Sequence, residues 1–161
     1  MRIIGIDPGT AITGFSILEK DHKGDLKLLD YGCIRTHAGE KANVRLNQIA
    51  TDLKTLIKKW KPNGASIERL FFNKNVKTAM AVSQARGVII QTLTEQGVTQ
   101  EEFTPPEVKL AVCGYGRADK KMVQEMVRIL LGLTKVPKPD DAADAIALAL
   151  CSINSLKLQS K

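Results

Sequence analysis

The chain is poor in the residues that mark several common protein classes. Only 4% of it is aromatic, and it holds three cysteines and two histidines. Cys33, Cys113 and Cys151 are far apart and form neither a CxxC pair nor a zinc spacing. That argues against a disulfide framework or a zinc module and fits a reducing cytosol; as small hydrophobes they are expected to be buried. His22 and His37 sit in polar surroundings with no metal-ligand spacing, so both are expected at the surface. No apolar run approaches the ~18 residues of a membrane span. A charged leader followed by an apolar stretch is also missing, so no signal peptide is expected and the location is read as cytoplasmic. There is no repeat, no low-complexity tract, no second phosphate loop and no convincing side-chain nucleophile.

Positive charge, by contrast, is in excess. The chain of 161 residues carries a net charge of +7 and a pI near 9.4. Such a surface points to a polyanion: DNA, RNA or an anionic membrane face. The length suits one domain with a single sizeable core. Hydrophobic content of 43% and charged content of 25% are ordinary for a globular protein.

Hydrophobic period and turn residues divide the chain into elements. Residues 2–7, 12–19 and 26–36 read as strands, joined by Asp7-Pro8-Gly9-Thr10 and His22-Lys23-Gly24-Asp25 turns into an antiparallel meander. From 41 to 60 the period becomes helical, with Ile49, Leu53, Leu56, Ile57 and Trp60 on one face and Pro62-Asn63-Gly64 as the stop. A strand over 65–70 then pairs parallel to the first through a right-handed crossover. A long helix over 75–96, a strand over 98–103, a short helix from Pro105-Pro106 to about Val112, a helix over 119–131 and a last helix over 140–153 complete the order. The expected fold is mixed α/β, a central five-stranded sheet flanked by helices, with a domain over 1–155 and a polar tail over 156–161.

Against the basic background, four acids stand out. Asp7 ends the run Ile3-Ile4-Gly5-Ile6, Glu68 ends Ala65-Ser66-Ile67, and Asp141 and Asp144 open the last helix three residues apart. A carboxylate at the end of a buried strand is costly unless something positive meets it, and hard divalent cations such as Mg²⁺ prefer oxygen donors. The parallel pairing puts the carboxyl ends of the first and fourth strands at one edge, where ligands bind in such sheets. Asp141 and Asp144 share one helix face that can cross that edge. Four ionised carboxylates carry about −4, which two divalent cations would balance. Two such ions, ~3.5–4 Å apart, catalyse in-line phosphoryl transfer without a side-chain nucleophile. Plainer readings exist for each acid. Asp141 and Asp144 can complement the helix dipole, Asp140 can cap the helix, Glu68 can pair with Arg69, and Asp7 can brace its turn.

Other residues point to nucleic acid. Lys109, Arg117, Lys120 and Lys121 gather around the Gly114–Gly116 link and can contact phosphate, although lysine clusters are also ordinary solvated faces. Phe71 and Phe72 are adjacent in a chain with few aromatics; an exposed Phe can stack on or wedge between bases, and core packing is the plainer role, more so for Phe72. Ala79, Ser83 and Gly87 form a stripe of small residues beside Val76, Met80 and Ile90, which fits either packing on the sheet or a two-fold interface.

These residues together resemble the RuvC family of Holliday junction resolvases, of RNase H-like fold. The resemblance covers essentially the whole chain. It is carried by Ile4-Gly5-Ile6-Asp7-Pro8-Gly9-Thr10 with Gly14, Glu68 with Phe71 and Asn75, Gln84-Ala85-Arg86-Gly87, Pro105 with Val108-Lys109, and Asp141-Ala142-Ala143-Asp144-Ala145. It implies a homodimeric endonuclease that nicks two strands of a four-way DNA junction symmetrically, leaving 5′-phosphate and 3′-hydroxyl ends. It implies metal ligation by Asp7, Glu68, Asp141 and Asp144, with Mg²⁺, two per subunit, as cofactor and Mn²⁺ as substitute. It also implies basic roles for Lys109 and Lys120, an aromatic at the junction crossover at Phe71, and a branch-migration complex of RuvA and RuvB type as partner. Sugar kinases and their ATPase relatives share the GIDPGT-like opening, but they need a second domain that this length does not supply. A binding dimer without catalysis, or a related nuclease acting on RNA or damaged DNA, are the remaining alternatives.

Overall fold

A computed structural model describes residues 1–69 and 76–159. The elements run β1 (Arg2–Asp7), β2 (Ile12–Lys20), β3 (Leu26–Arg35), α1 (Ala42–Trp60), β4 (Gly64–Glu68), α2 (Val76–Glu95), β5 (Thr99–Phe103), α3 (Pro105–Cys113), α4 (Lys120–Leu130) and α5 (Asp140–Gln159). The sheet has five strands in the order β3-β2-β1-β4-β5. β1, β2 and β3 form the expected meander, and β4 lies parallel to both β1 and β5.

Side-chain alternation along the strands divides the core in two. Ile4, Ile6, Ile17 and Ile67 point to one face, where they meet Ile49, Leu53 and Ile57 of α1 and Ile89 and Leu93 of α2. Ile3 points to the other, with Ile146 and Leu150 of α5 and Val108, Val112, Val123 and Val127 of α3 and α4. β1 is therefore buried on both sides, as its uninterrupted apolar run requires.

α5 lies unusually close to the sheet. A β-carbon built on Gly5 would fall 2.0 Å from the carbonyl oxygen of Ala145, and one on Gly14 would fall 2.1 Å from that of Asp141. The contact is between backbones, which only glycine permits. The Ser16 hydroxyl donates to the Ala145 carbonyl at 2.9 Å, and the Ser66 hydroxyl to the Leu148 carbonyl at 2.7 Å. Ala142, Ala143, Ala145, Ala147 and Ala149 keep the helix slim enough to fit.

Some boundaries differ from expectation. β4 stops at Glu68, and α5 continues through Gln159 instead of ending at 153, so the helix runs into the expected tail. Asp140 is inside α5 and not its cap: the Pro139 carbonyl accepts from the amides of Ala142 and Ala143. His22 and His37 are exposed as expected, but only Cys151 is buried; Cys33 and Cys113 are half-buried.

Candidate active site

Strand parity decides where the acids face. Asp7 has the parity of Gly5, and Glu68 that of Ser66, so both turn toward α5. Ile6 pairs with Ile67, which sets Asp7 and Glu68 side by side at the carboxyl ends of parallel strands. Asp7 also pairs with Gly14, and Gly14 is the residue on which Asp141 rests. Asp144 follows one helical turn later on the same helix face. The close seating of α5 thus brings its first two turns over the edge that carries Asp7 and Glu68.

Their electrostatics are coupled. Burial, then the charges of Glu68, Asp144 and Asp141, push the Asp7 carboxyl up to about 8, with Lys120 opposing. Burial and Asp144 raise Glu68, while a hydrogen bond with Asp7 and the charge of Lys120 pull it back. Burial raises Asp144 as well, against the hydrogen bond and charge of Lys120, with Asp141 and Asp140 adding to the rise. An Asp144 that merely complemented the helix dipole would move the other way.

The other plain readings also fall. Arg69 reaches Glu102 at 3.7 Å, and Arg86 reaches the same carboxylate at 2.5 Å. The turn after Asp7 is tied by Thr13 donating to the Gly9 carbonyl at 2.7 Å and Thr10 to the Ala81 carbonyl at 2.7 Å.

The basic residues separate into two groups. Lys120 enters the cluster: its Nζ lies 2.9 Å from Asp144 Oδ2 and 3.7 Å from Asp140 Oδ2. Burial works against its charge, but Asp144, Asp140 and Asp141 outweigh that and raise its pKa. Lys109 and Lys120 line a cleft of about 260 Å³ with Glu68 and Asp144, floored by Val108 and Val123. Arg117 and Lys121 are exposed and stand outside the cleft. Asp140, whose part the sequence left open, pairs with Lys138 at 2.7 Å, and that hydrogen bond lowers its pKa. Phe71, Phe72 and Asn75 lie outside the described residues.

The donor set suits a hard cation. All four side chains offer carboxylate oxygen, and Asp7 and Glu68 are held above their usual range by burial and then by neighbouring acids, both of which a divalent ion would offset. Among the described residues no three acid, His or Cys side chains stand as a finished cation cage. One of the four, Asp144, is held by the Lys120 ammonium. Asp7 is thus electrostatically coupled to Glu68, Asp144 and Asp141, without a finished cation site among the described residues.

A family model described as crossover junction endodeoxyribonuclease RuvC matches residues 3–152. The chain belongs to the RuvC family. A RuvC from Caldicellulosiruptor saccharolyticus is 48% identical over 155 residues, which span 96% of this chain and 93% of the relative. The Thermus thermophilus RuvC structure aligns with a TM-score of 0.92 at 31% identity, covering 99% of this chain and 97% of that one. The structure of T. thermophilus RuvC with a Holliday junction substrate aligns at 0.89 with 28% identity, covering 98% and 96%. The RuvC fold, a mixed five-stranded sheet between helices, is the one described above.

Sequence reasoning missed the residues that seat α5. Gly5 and Gly14 were visible within the family motif, but their contacts with Ala145 and Asp141 were not. A glycine inside a strand signals a close backbone approach without naming the partner. Cys33, read from the sequence only as a small buried residue, lies opposite Gly14, where burial and then the charge of Asp141 raise its thiol pKa.

Proposed function

We propose that this chain is a metal-dependent endonuclease that resolves four-way DNA junctions by paired symmetric nicks, leaving 5′-phosphate and 3′-hydroxyl ends, in recombination and repair. The observation that carries this is the meeting of Asp7 and Glu68, on adjacent parallel strands, with the first turns of α5. The family assignment makes nuclease chemistry the natural use of such acids. Asp7, Glu68, Asp141 and Asp144 would hold two Mg²⁺, or Mn²⁺ in substitution. Held there, such ions would supply activation of an attacking water and stabilisation of the leaving 3′ oxygen.

The chain's own residues do the rest. Burial of Asp7 and Glu68 keeps the site drier than the surface and strengthens their attraction for a cation. Lys120 compensates Asp144, and Lys109 offers its ammonium on the wall of the same cleft, where a strand's phosphate can be positioned. Arg117 and Lys121, exposed nearby, suit phosphates farther along. The aromatic implied at the junction crossover is Phe71.

A homodimer suits a two-fold junction, because isologous symmetry presents two equivalent sites. α2 supports it: Ala85, Ile89 and Leu93 face the core, while Met80 is 64% exposed and Gly87 has open space beside it. Gly87 of the small-residue stripe thus shares an outward face with Met80, where a second copy could approach. A branch-migration complex of RuvA and RuvB type enters as the partner implied by the family. The working place is the cytoplasm; among the described residues no helix is long and apolar enough to cross a membrane.

The test is incubation with labelled synthetic junction and with linear duplex, in Mg²⁺ and in EDTA. The expected result is paired, ligatable nicks in the junction alone and only with Mg²⁺. Binding without cleavage would return the chain to a DNA-binding dimer, and ATP hydrolysis without cleavage to the kinase-like class.

A further inference from the structure

A second concentration of positive charge lies across the sheet from the Lys109 and Lys120 cleft. Asp7 pairs with Gly14, Gly14 with Cys33, and β3 ends shortly after at Arg35, opposite Ile12. Arg35 therefore stands at the acid-bearing edge of the sheet. Two strand spacings of ~4.8 Å across and two residues of ~3.4 Å along put its backbone roughly 12 Å from that of Asp7.

Arg35 lines a cleft of about 250 Å³ together with Thr36, His37, Glu40, Arg45 and Gln48. The cleft is tied to the active-site turn. Arg45 Nε donates to Thr36 Oγ1 at 2.8 Å, and that hydroxyl donates to the Thr10 carbonyl at 2.6 Å.

The two arginines differ from most others in the chain. Arg2, Arg69, Arg86 and Arg128 each hold a carboxylate. Among the described residues neither Arg35 nor Arg45 forms a salt bridge, although Glu40 lines the same cleft. Both residues line the one cleft, Arg45 held in place by its hydrogen bond to Thr36, and guanidinium groups without a carboxylate partner are suited to phosphate.

We propose that the Arg35–Arg45 cleft binds a backbone phosphate of the DNA strand on the side of the acid cluster away from Lys109. That phosphate lies a few nucleotides at most from the bond to be cut. The strand is then gripped on both flanks of the acids. This inference rests on the nuclease reading above.

The experiment is a salt titration of junction binding, followed by fluorescence anisotropy in EDTA, for the wild-type chain, Arg35→Gln, the Arg35→Gln/Arg45→Gln double variant and Lys58→Gln. Lys58 is exposed near the far end of α1 and serves as the control for net charge alone. Each lost phosphate contact lowers the slope of log K against log salt by about 0.9. The expected result is a slope reduced by about one in Arg35→Gln and by about two in the double variant, with Lys58→Gln unchanged. Because Arg45 also braces Thr36, Arg35→Gln decides the matter if the double variant melts early. Wild-type binding with an unaltered slope in Arg35→Gln, or an equal drop in Lys58→Gln, overturns the cleft alone. Failure of the wild-type chain to bind the junction overturns both the cleft and the nuclease reading.

Discussion

The two faces of the sheet are built differently. The face covered by α1 and α2 packs Ile4, Ile6, Ile17 and Ile67 against Ile49, Leu53, Ile89 and Leu93, bulky aliphatic against bulky aliphatic. The face covered by α5 adds backbone contacts at Gly5 and Gly14, a run of alanines, and serine hydroxyls on helix carbonyls. The first arrangement maximises apolar burial and tolerates small shifts, since volume matters more than register. The second fixes the height and register of one helix over the strands that hold Asp7 and Glu68. A substitution on the first face should cost stability; on the second it should cost activity out of proportion to stability.

The largest effect belongs to the acids themselves. Asp7→Asn is expected to lower junction cleavage by at least a thousandfold, about 4 kcal/mol of barrier, while junction binding in EDTA stays within about twofold. Binding survives because the basic surfaces are untouched. Loss of binding together with loss of folding would make Asp7 a structural residue instead.

Leu53→Ala and Gly14→Ala set the two faces directly against each other. Leu53 is 1% exposed, and its truncation should cost about 2–5 kcal/mol in urea unfolding. Cleavage per folded molecule should hardly change. Gly14→Ala forces a β-carbon to within 2.1 Å of the Asp141 carbonyl unless α5 moves. Overpacking of this kind costs about 1–3 kcal/mol, but a displacement near 1 Å can cost about a hundredfold in rate. Equal ratios of activity loss to stability loss in the two variants would abolish the distinction between the faces.

The acid cluster also gives the α5 face a pH dependence that the other face lacks. The unfolded chain releases the Asp7 proton near 3.8, but the folded chain keeps it to about 8. Between those values the native state binds more protons, so stability falls as pH rises. Glu68 and Asp144 are raised as well and add to the same slope. In EDTA, the melting temperature should drop by several degrees from pH 5.5 to 8.5, at about 2–4 °C per kcal/mol for a chain of this size. Mg²⁺ should reverse the loss at the higher pH, and Asp7→Asn should flatten the slope. A melting temperature that rises with pH in EDTA would contradict the burial of these acids.

Much of this was legible in the residues. The turn chemistry of Pro8-Gly9 and Lys23-Gly24, followed by the change to helical period after Lys41, is enough to order the sheet, because a strand after a helix crosses over right-handed. The acids were visible because a carboxylate ending an apolar run needs a reason. The end of α5 was not visible: the polar residues after 155 suggested a tail, yet the helix continues past Ser152 and Ser155. In the fold their hydroxyls reach Glu101 at 2.7 Å and the Ser152 carbonyl at 2.8 Å, so their polarity is satisfied without ending the helix. Lys120 likewise read as a phosphate ligand, and its pairing with Asp144 depends on where α4 meets α5, which no local pattern encodes. Composition locates candidates, whereas the distance between two elements remote in sequence is set by the glycines and serines at their contact.

The smallest effect is the most discriminating. Ser66→Ala removes the hydrogen bond to the Leu148 carbonyl, and Ser16→Ala removes the one to Ala145. A helix carbonyl already accepts from the amide four residues on, so neither oxygen is left bare, and each loss should cost only about 0.5–1.5 kcal/mol. The two sites differ in what they neighbour. Ser16 pairs with Gly5, so its bond sits over the closest backbone contact, which already holds α5 in place without it. Ser66 lies two residues before Glu68 and ties β4 to α5 where the described contacts show no such glycine. Ser66→Ala should therefore weaken Mg²⁺-dependent cleavage severalfold, with a higher Mg²⁺ requirement, while Ser16→Ala changes unfolding free energy by a similar amount and leaves the Mg²⁺ requirement alone. Identical Mg²⁺ titrations for both variants would show that the hydroxyls add stability only, and that the glycines alone set the register of α5.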